Sequence, residues 1–333
     1  MAKKTFLSLI QFIFFLALGI FLIWLSVRKL TQNEIEQVKS LVFKADLRLV
    51  IPCVLVLIIS HFIRALRWKM MLNPMNYRPK TSNVFFSVLA GFFFNLLFPR
   101  LGELMKCTLL SKNEKIPVDK LIGTIVAERL VDIICLMIII VLTIITQFEL
   151  AGNYAKEIWS TLYNNLSLST EKSLILLVIS FSLILLMYIL FKKSSSRLVT
   201  RVKDITKGLI QGLSSIRQIK NKSLFLLHTV LIWFLYLLSI RFGFFAMNEL
   251  TELGWLPSLS ILTFGSFAMI ATQGGIGAYQ LIVQQTLLLY GINEVSGLAF
   301  GWLLWSVQTI MLFILGPISL IFLLKMNRKM IKK

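Results

Sequence analysis

Arg100 and Glu103 stand three residues apart in a stretch that also holds Asn95, Pro99 and Gly102, where a largely apolar run ends. An arginine's planar fork can bind two phosphate oxygens at once, so a polar tip of this kind can meet a lipid phosphate. The structural alternative is a capped turn at the membrane interface. A second group, Glu128, Arg129 and Asp132, opens the apolar run 130–148. Glu128 and Asp132 are four apart and share a helix face, and Arg129 and Asp132 are three apart. These acids can hold Arg100 or another basic residue in place, or take up a proton and supply coupling. They can equally form a salt-bridged helix start at the cytoplasmic interface.

Two further features have the right chemistry for an anion. Gly274, Gly275 and Gly277, in the stretch QGGIGAYQ (273–280), let the backbone turn tightly and expose amides, as anion-binding nests do. Arg241 lies inside the apolar run 224–247; it either snorkels towards Glu249 and Glu252 or lines a cavity. Arg64 and Arg67 sit beside Trp68, an expected anchor at the membrane surface; they could also gather anionic headgroups at a cavity entrance. His228 reads as an interfacial histidine. The chain has only two histidines, His61 and His228, and neither a GxSxG nor an HExxH pattern. No nucleophile–base pair or metal cage can be assembled, so no catalytic residue, cofactor or metal is expected.

The elements that must position these residues are a pair of broken hydrophobic segments, Phe85 to Glu103 and Leu259 to Gln280. Each begins as a membrane helix, stops at a glycine- or proline-containing polar break, and resumes as a shorter apolar stretch. Backbone leaves the helix at membrane depth only where protein or a water-filled cavity satisfies its polar groups. One such break in each half of a chain points to a site at a repeat interface, as in secondary transporters.

The surrounding chain is membrane protein throughout. Hydrophobic residues make up 57%, charged residues 15%, and mean hydropathy is +0.82; a soluble domain would carry about 25% charged residues. The 35 Lys and Arg against 15 Asp and Glu lie mostly between apolar runs, where they orient the chain and meet anionic headgroups. Nucleic acid is not an expected partner. Cys53, Cys107 and Cys135 read as small buried hydrophobes. The first apolar run is too long for a signal peptide and has no cleavage site, so it reads as an uncleaved span.

An all-α integral membrane protein follows: about six full spans, each near the 20 residues a bilayer needs, plus the two broken or re-entrant hairpins. The spans expected are 6–27, 49–66, 130–148, 174–191, 224–247 and 297–324, the last kinked at Gly316-Pro317. Residues 1–333 form one domain, with an interfacial helix or loop at 28–48 and a basic cytoplasmic loop at 192–223. The basic regions 64–80, 104–129 and the tail want the cytoplasm, whereas 149–173, 248–258 and 292–296 want the outside. The N- and C-termini are then cytoplasmic. The hairpins enter from opposite faces and point at each other, an inverted arrangement.

The order ALRWKMML (65–72), N…PRLGELMK (95–106), VAERLVD (126–132) and GGIGAYQ (274–280) resembles the lysylphosphatidylglycerol synthetase transmembrane-domain, or flippase-like, family over essentially the whole chain. The resemblance implies a multi-pass protein of the bacterial inner membrane. In the bifunctional enzymes such a domain moves the aminoacylated lipid across the bilayer, and a separate soluble domain makes that lipid. This sequence ends at Lys333, directly after its last span, so lysyl transfer is not expected. Gln280 stands where many relatives have a carboxylate, and Gln273 where a proline often precedes the glycines, so a role for a carboxylate there is not carried over.

The leading expectation is a lipid translocator whose partner is a phospholipid or polyprenyl-linked lipid. Its headgroup site would comprise Asn95, Arg100, Glu103, Glu128, Arg129, Asp132, Arg241, Gly274, Gly275 and Gly277: Arg100 and Arg241 hold the phosphate, the glycines supply flexible backbone and amides, and Glu103, Glu128 and Asp132 position the arginines or couple to protons. The alternative is a non-catalytic component that presents lipid to a separate glycosyl- or aminoacyl-transferase. A homodimer is compatible with either.

Overall fold

The computed structural model describes residues 17–98, 101–148 and 219–331, with side chains to Met326. Span 174–191, most of span 6–27, most of loop 192–223, Pro99 and Arg100 lie outside the described residues. All regular elements described are helices.

The chain enters the described region on α1 (Ala17–Val27). It then forms α2 (Gln32–Lys44), started by a capping box in which Thr31 and Glu34 satisfy each other's end of the first turn. This helix falls where the interfacial element was expected. Asp46 caps α3 (Leu47–Leu72). Next come α4 (Thr81–Leu97), α5 (Leu101–Glu114) and α6 (Val118–Thr146). The remainder repeats that order: α7 (Lys222–Phe245), α8 (Trp255–Ala271), α9 (Ala278–Leu288) and α10 (Glu294–Ile331). Four of the described helices, α3, α6, α7 and α10, are long and apolar enough to cross a membrane.

The two halves match element by element. Each has a long helix, a 17-residue helix, a break, a short returning helix and a second long helix. A 17-residue helix rises about 25 Å, short of an apolar core about 30 Å thick. Both α4 and α8 end on an extended residue, Phe98 and Thr272, whose N–H closes the last turn. Within each hairpin a glycine seven residues before that cap admits the returning limb: Gly91 lies against Lys106 and Gly102, and Gly265 against Tyr279.

The halves are also inverted. The Ser60 hydroxyl donates to the Ile232 carbonyl and the Ser239 hydroxyl to the Cys53 carbonyl, so α3 and α7 run antiparallel. The last helix of each half packs on the other half's hairpin. Thr143 of α6 bonds Thr263 of α8 at 2.7 Å, and Phe313 of α10 packs edge-on against Phe93 of α4. Gly316 leaves room for Phe93, and α10 runs on as one helix through Pro317. The outward face of α6, including Ile134, Ile138, Leu142 and Ile145, is exposed apolar surface suited to lipid.

Two expectations need correction. The spans 49–66 and 130–148 are too short at one end: α3 runs to Leu72 and α6 begins at Val118. Charged residues look like span boundaries in hydropathy, yet here they are paired inside the protein and the helices continue through them. Region 104–129 is mostly α5 and the first turns of α6, with Lys106 buried. Trp68 is no surface anchor; it is fully buried and its indole N–H donates to Thr124 at 2.8 Å.

Candidate functional site

Three helices bring a charged cluster together. From α3 come Arg64 and Arg67, one helical turn apart; from α5 comes Lys106; from α6 come Glu128 and Asp132, again one turn apart. Arg64 Nη1 lies 2.9 Å from Glu128 Oε1 and 2.7 Å from Asp132 Oδ2. Arg67 Nη2 is 2.6 Å from Asp132 Oδ1 and 3.7 Å from Glu128 Oε1. Lys106 Nζ is 2.7 Å from Glu128 Oε2 and sits 4.0 Å from the Trp68 ring centre. Glu128 and the Arg67 side chain are completely inaccessible. Tyr236 and Thr229 of α7 accept weaker bonds from Arg64 and Arg67, at 3.4 Å each.

The cluster is not electrically balanced. Among the described residues, three buried cations, Arg64, Arg67 and Lys106, face two acids, Glu128 and Asp132, leaving one positive charge in excess. Among the described residues, the Nε atoms of Arg64 and Arg67 are buried without a hydrogen-bond partner. Buried charge is costly unless paired, so an unmatched cation here favours an incoming anion.

That charge opens on a cavity of about 460 Å³ between the two halves. Arg64, Arg129 and Asp132 form its charged wall; Ser239, Ser266, Tyr279 and Gln308 add polar groups, and the rest of the lining is mainly apolar. Outside the buried cluster, Arg129 Nε pairs with Glu103 Oε1 at 2.8 Å. The expected residues Glu103, Glu128, Arg129 and Asp132 therefore do come together.

Other expected residues do something else. The Asn95 side chain accepts from the Gly102 N–H at 2.8 Å and so stitches the break of the first hairpin. Arg241 makes no ion pair among the described residues and does not line the cavity; it lies 4.2 Å over the Phe245 ring. Glu249, its expected acidic neighbour, bonds Ser296. Gly274, Gly275 and Gly277 all have positive φ (60°, 75° and 76°), a conformation glycine adopts freely. Their missing side chains serve close approach: a Cβ on Gly277 would lie 2.1 Å from the Gly19 carbonyl oxygen, and one on Gly274 would touch Leu96.

The two hairpin tips meet. Gln273 donates to the Leu96 carbonyl at 3.1 Å, and Trp305 of α10 donates to the Gly274 carbonyl at 2.8 Å. A second cavity of about 300 Å³ lies at this seam, lined among others by Leu96, Gln273, Gly274 and Trp305.

Sequence reasoning placed Arg64 and Arg67 near headgroups without assigning them to the site, and missed Lys106. The available signal was charge reciprocity: two cations at one-turn spacing in one apolar helix and two acids at one-turn spacing in another. Among the described residues no group of His, Cys, Asp and Glu is arranged to hold a metal ion.

The family described as the lysylphosphatidylglycerol synthase TM region matches residues 11–316. A UPF0104 membrane protein of Methanocaldococcus jannaschii is 27% identical over 153 residues, 45% of this chain and 42% of that protein. One of Pyrococcus horikoshii is 30% identical over 112 residues, 32% of this chain and 33% of that protein. The chain thus spans less than half the length of these curated relatives. No solved structure matches it.

Proposed function

We propose, from the premise that this chain belongs to the lysylphosphatidylglycerol synthase TM-region family, that it is a lipid translocator. It takes a phosphate-bearing lipid headgroup into the cavity between its halves and leaves the tails along the apolar lining and the bilayer. The observation that carries this reading is the unmatched positive charge on the cavity wall. Arg64 and Arg129 both line the cavity, and guanidinium forks suit phosphate oxygens. Glu128 and Asp132 hold Arg64 and Arg67 by direct ion pairs and fix where the positive charge sits.

The inverted halves and the meeting tips support movement of the headgroup. In transporters built from inverted repeats, access alternates as one repeat rocks against the other around a fixed site. Here each half's last helix packs on the other half's hairpin, so a shift of one tip is transmitted to both halves. Nothing in this reading calls for chemistry on the lipid. We place the protein in a bacterial inner membrane with both termini cytoplasmic.

Reconstitution into liposomes containing fluorescent anionic phospholipid tests the proposal. The wild-type protein should move labelled lipid between leaflets. Arg129→Gln, at a half-exposed position, should keep the fold and slow movement about tenfold or more, the scale of one charge-assisted hydrogen bond of about 1.5–3 kcal/mol. Failure to move any anionic lipid would overturn the translocator reading. If lipid then still bound, the protein would be left as one that presents lipid to a separate transferase.

A further inference from the structure

The charged wall has two layers. The inner layer, Arg64, Arg67, Lys106, Glu128 and Asp132, is locked by five contacts of 3.7 Å or less between groups at most 12% exposed. The outer layer is one pair, Arg129 with Glu103, whose side chains are 41% and 37% exposed. Arg129 lines the cavity and Glu103 does not. Glu103 lies in the first turn of α5, directly after the break of the first hairpin. Arg129 Nη1 is also 3.8 Å from Asp132 Oδ2, so the outer pair touches the inner layer.

Among the described residues, Arg64, Arg67, Lys106 and Arg129 face Glu103, Glu128 and Asp132, four cations against three acids, an excess of one. One headgroup of net charge −1 brings these described groups to neutrality. A doubly charged headgroup leaves a negative residue, and a zwitterion leaves the excess in place; either is costly at a site with little water. Glu128 and Asp132 are committed to the buried arginines. Glu103 is the acid of the three whose charge can change without opening the core.

We propose that Glu103 sets the charge selectivity of the cavity: by neutralising Arg129 it tunes the wall to a singly negative phosphodiester headgroup over a doubly negative phosphomonoester. This rests on the cavity being the headgroup site. It also ties occupancy to the hairpin, because a phosphate that engages Arg129 competes with Glu103 for it.

The test uses the full chain in neutral detergent with equal phosphatidylglycerol and phosphatidic acid, at about pH 8, where a phosphomonoester carries close to two charges. Phosphatidylcholine is the reference, and retained lipid is counted by native mass spectrometry. Wild type should retain phosphatidylglycerol over phosphatidic acid. Glu103→Gln should move the ratio towards phosphatidic acid by about fivefold, the scale of one partly exposed charge pair. Glu103→Asp, which keeps the charge, should hold the wild-type ratio. An unchanged ratio in Glu103→Gln, with wild type still selective, overturns this inference and leaves the headgroup site standing. A wild type that retains neither anionic lipid over phosphatidylcholine overturns both.

Discussion

Glu128→Ala should be the most damaging single change in this protein. Its carboxylate meets Arg64 at 2.9 Å, Lys106 at 2.7 Å and Arg67 at 3.7 Å, and its side chain is wholly inaccessible. Removal leaves three buried cations with Asp132 alone, an excess of two. Breaking a buried pair from one side costs about 3–5 kcal/mol, because the abandoned charge stays in a poor solvent. The expected result is a steep loss of monodisperse protein on extraction and a large fall in thermal stability. A double variant separates charge from packing. Lys106→Met with Glu128→Gln leaves Arg64 and Arg67 against Asp132, an excess of one as in the wild type. It should recover a large part of the stability. A Glu128→Ala protein as stable as wild type, or a double variant no better than Glu128→Ala, would show that the cluster does not hold the three helices together.

Gly102→Ala should be nearly as severe, by a different route. An added Cβ would lie 1.9 Å from the Gly91 carbonyl oxygen and 2.6 Å from the Asn95 side chain. Backbone cannot give way as a flexible side chain can, so α4 and α5 must part at the tip. Overpacking costs about 1–3 kcal/mol, and this collision is with main chain. The displacement also carries Lys106, one turn further along α5, away from Glu128. Transport and stability should therefore fall together. Gly123→Ala is the control. Nothing lies within 4 Å of its would-be Cβ, and alanine in an exposed helix gains about 0.5–1 kcal/mol over glycine. Equal damage from both substitutions, measured by thermal denaturation in detergent, would refute the close-packing account.

The fold was legible where it depends on chain-local chemistry. Glycine and polar residues marked both breaks, with a proline in the first, and the Lys and Arg distribution pointed the hairpins at each other; the Gln273 to Leu96 bond joins those tips. The ion cluster was legible only in part. Glu128 and Asp132 announce a shared helix face, but their partners Arg64 and Arg67 lie on a helix far earlier in the chain. A residue that ends a hydropathy run by itself can continue one when its counter-charge is supplied from elsewhere. The glycines show the same limit. Their spacing suggested exposed amides, whereas their actual service, admitting Gly19 and Leu96, depends on neighbours no spacing rule reveals.

The separation of those partners also bears on how the protein is made. Arg64 leaves the ribosome 64 residues before Glu128, a delay of about 3–13 s at ordinary bacterial elongation rates. During that interval α3 holds two arginines without Glu128 or Asp132 to meet them, and an unpaired charge within a membrane helix is costly. Helix α3 should therefore wait beside the translocon and enter the lipid together with α6. Ribosome-stalled chains ending before Val118 provide the readout: α3 crosslinking to the translocon fits this order of assembly, and α3 crosslinking to lipid alone contradicts it.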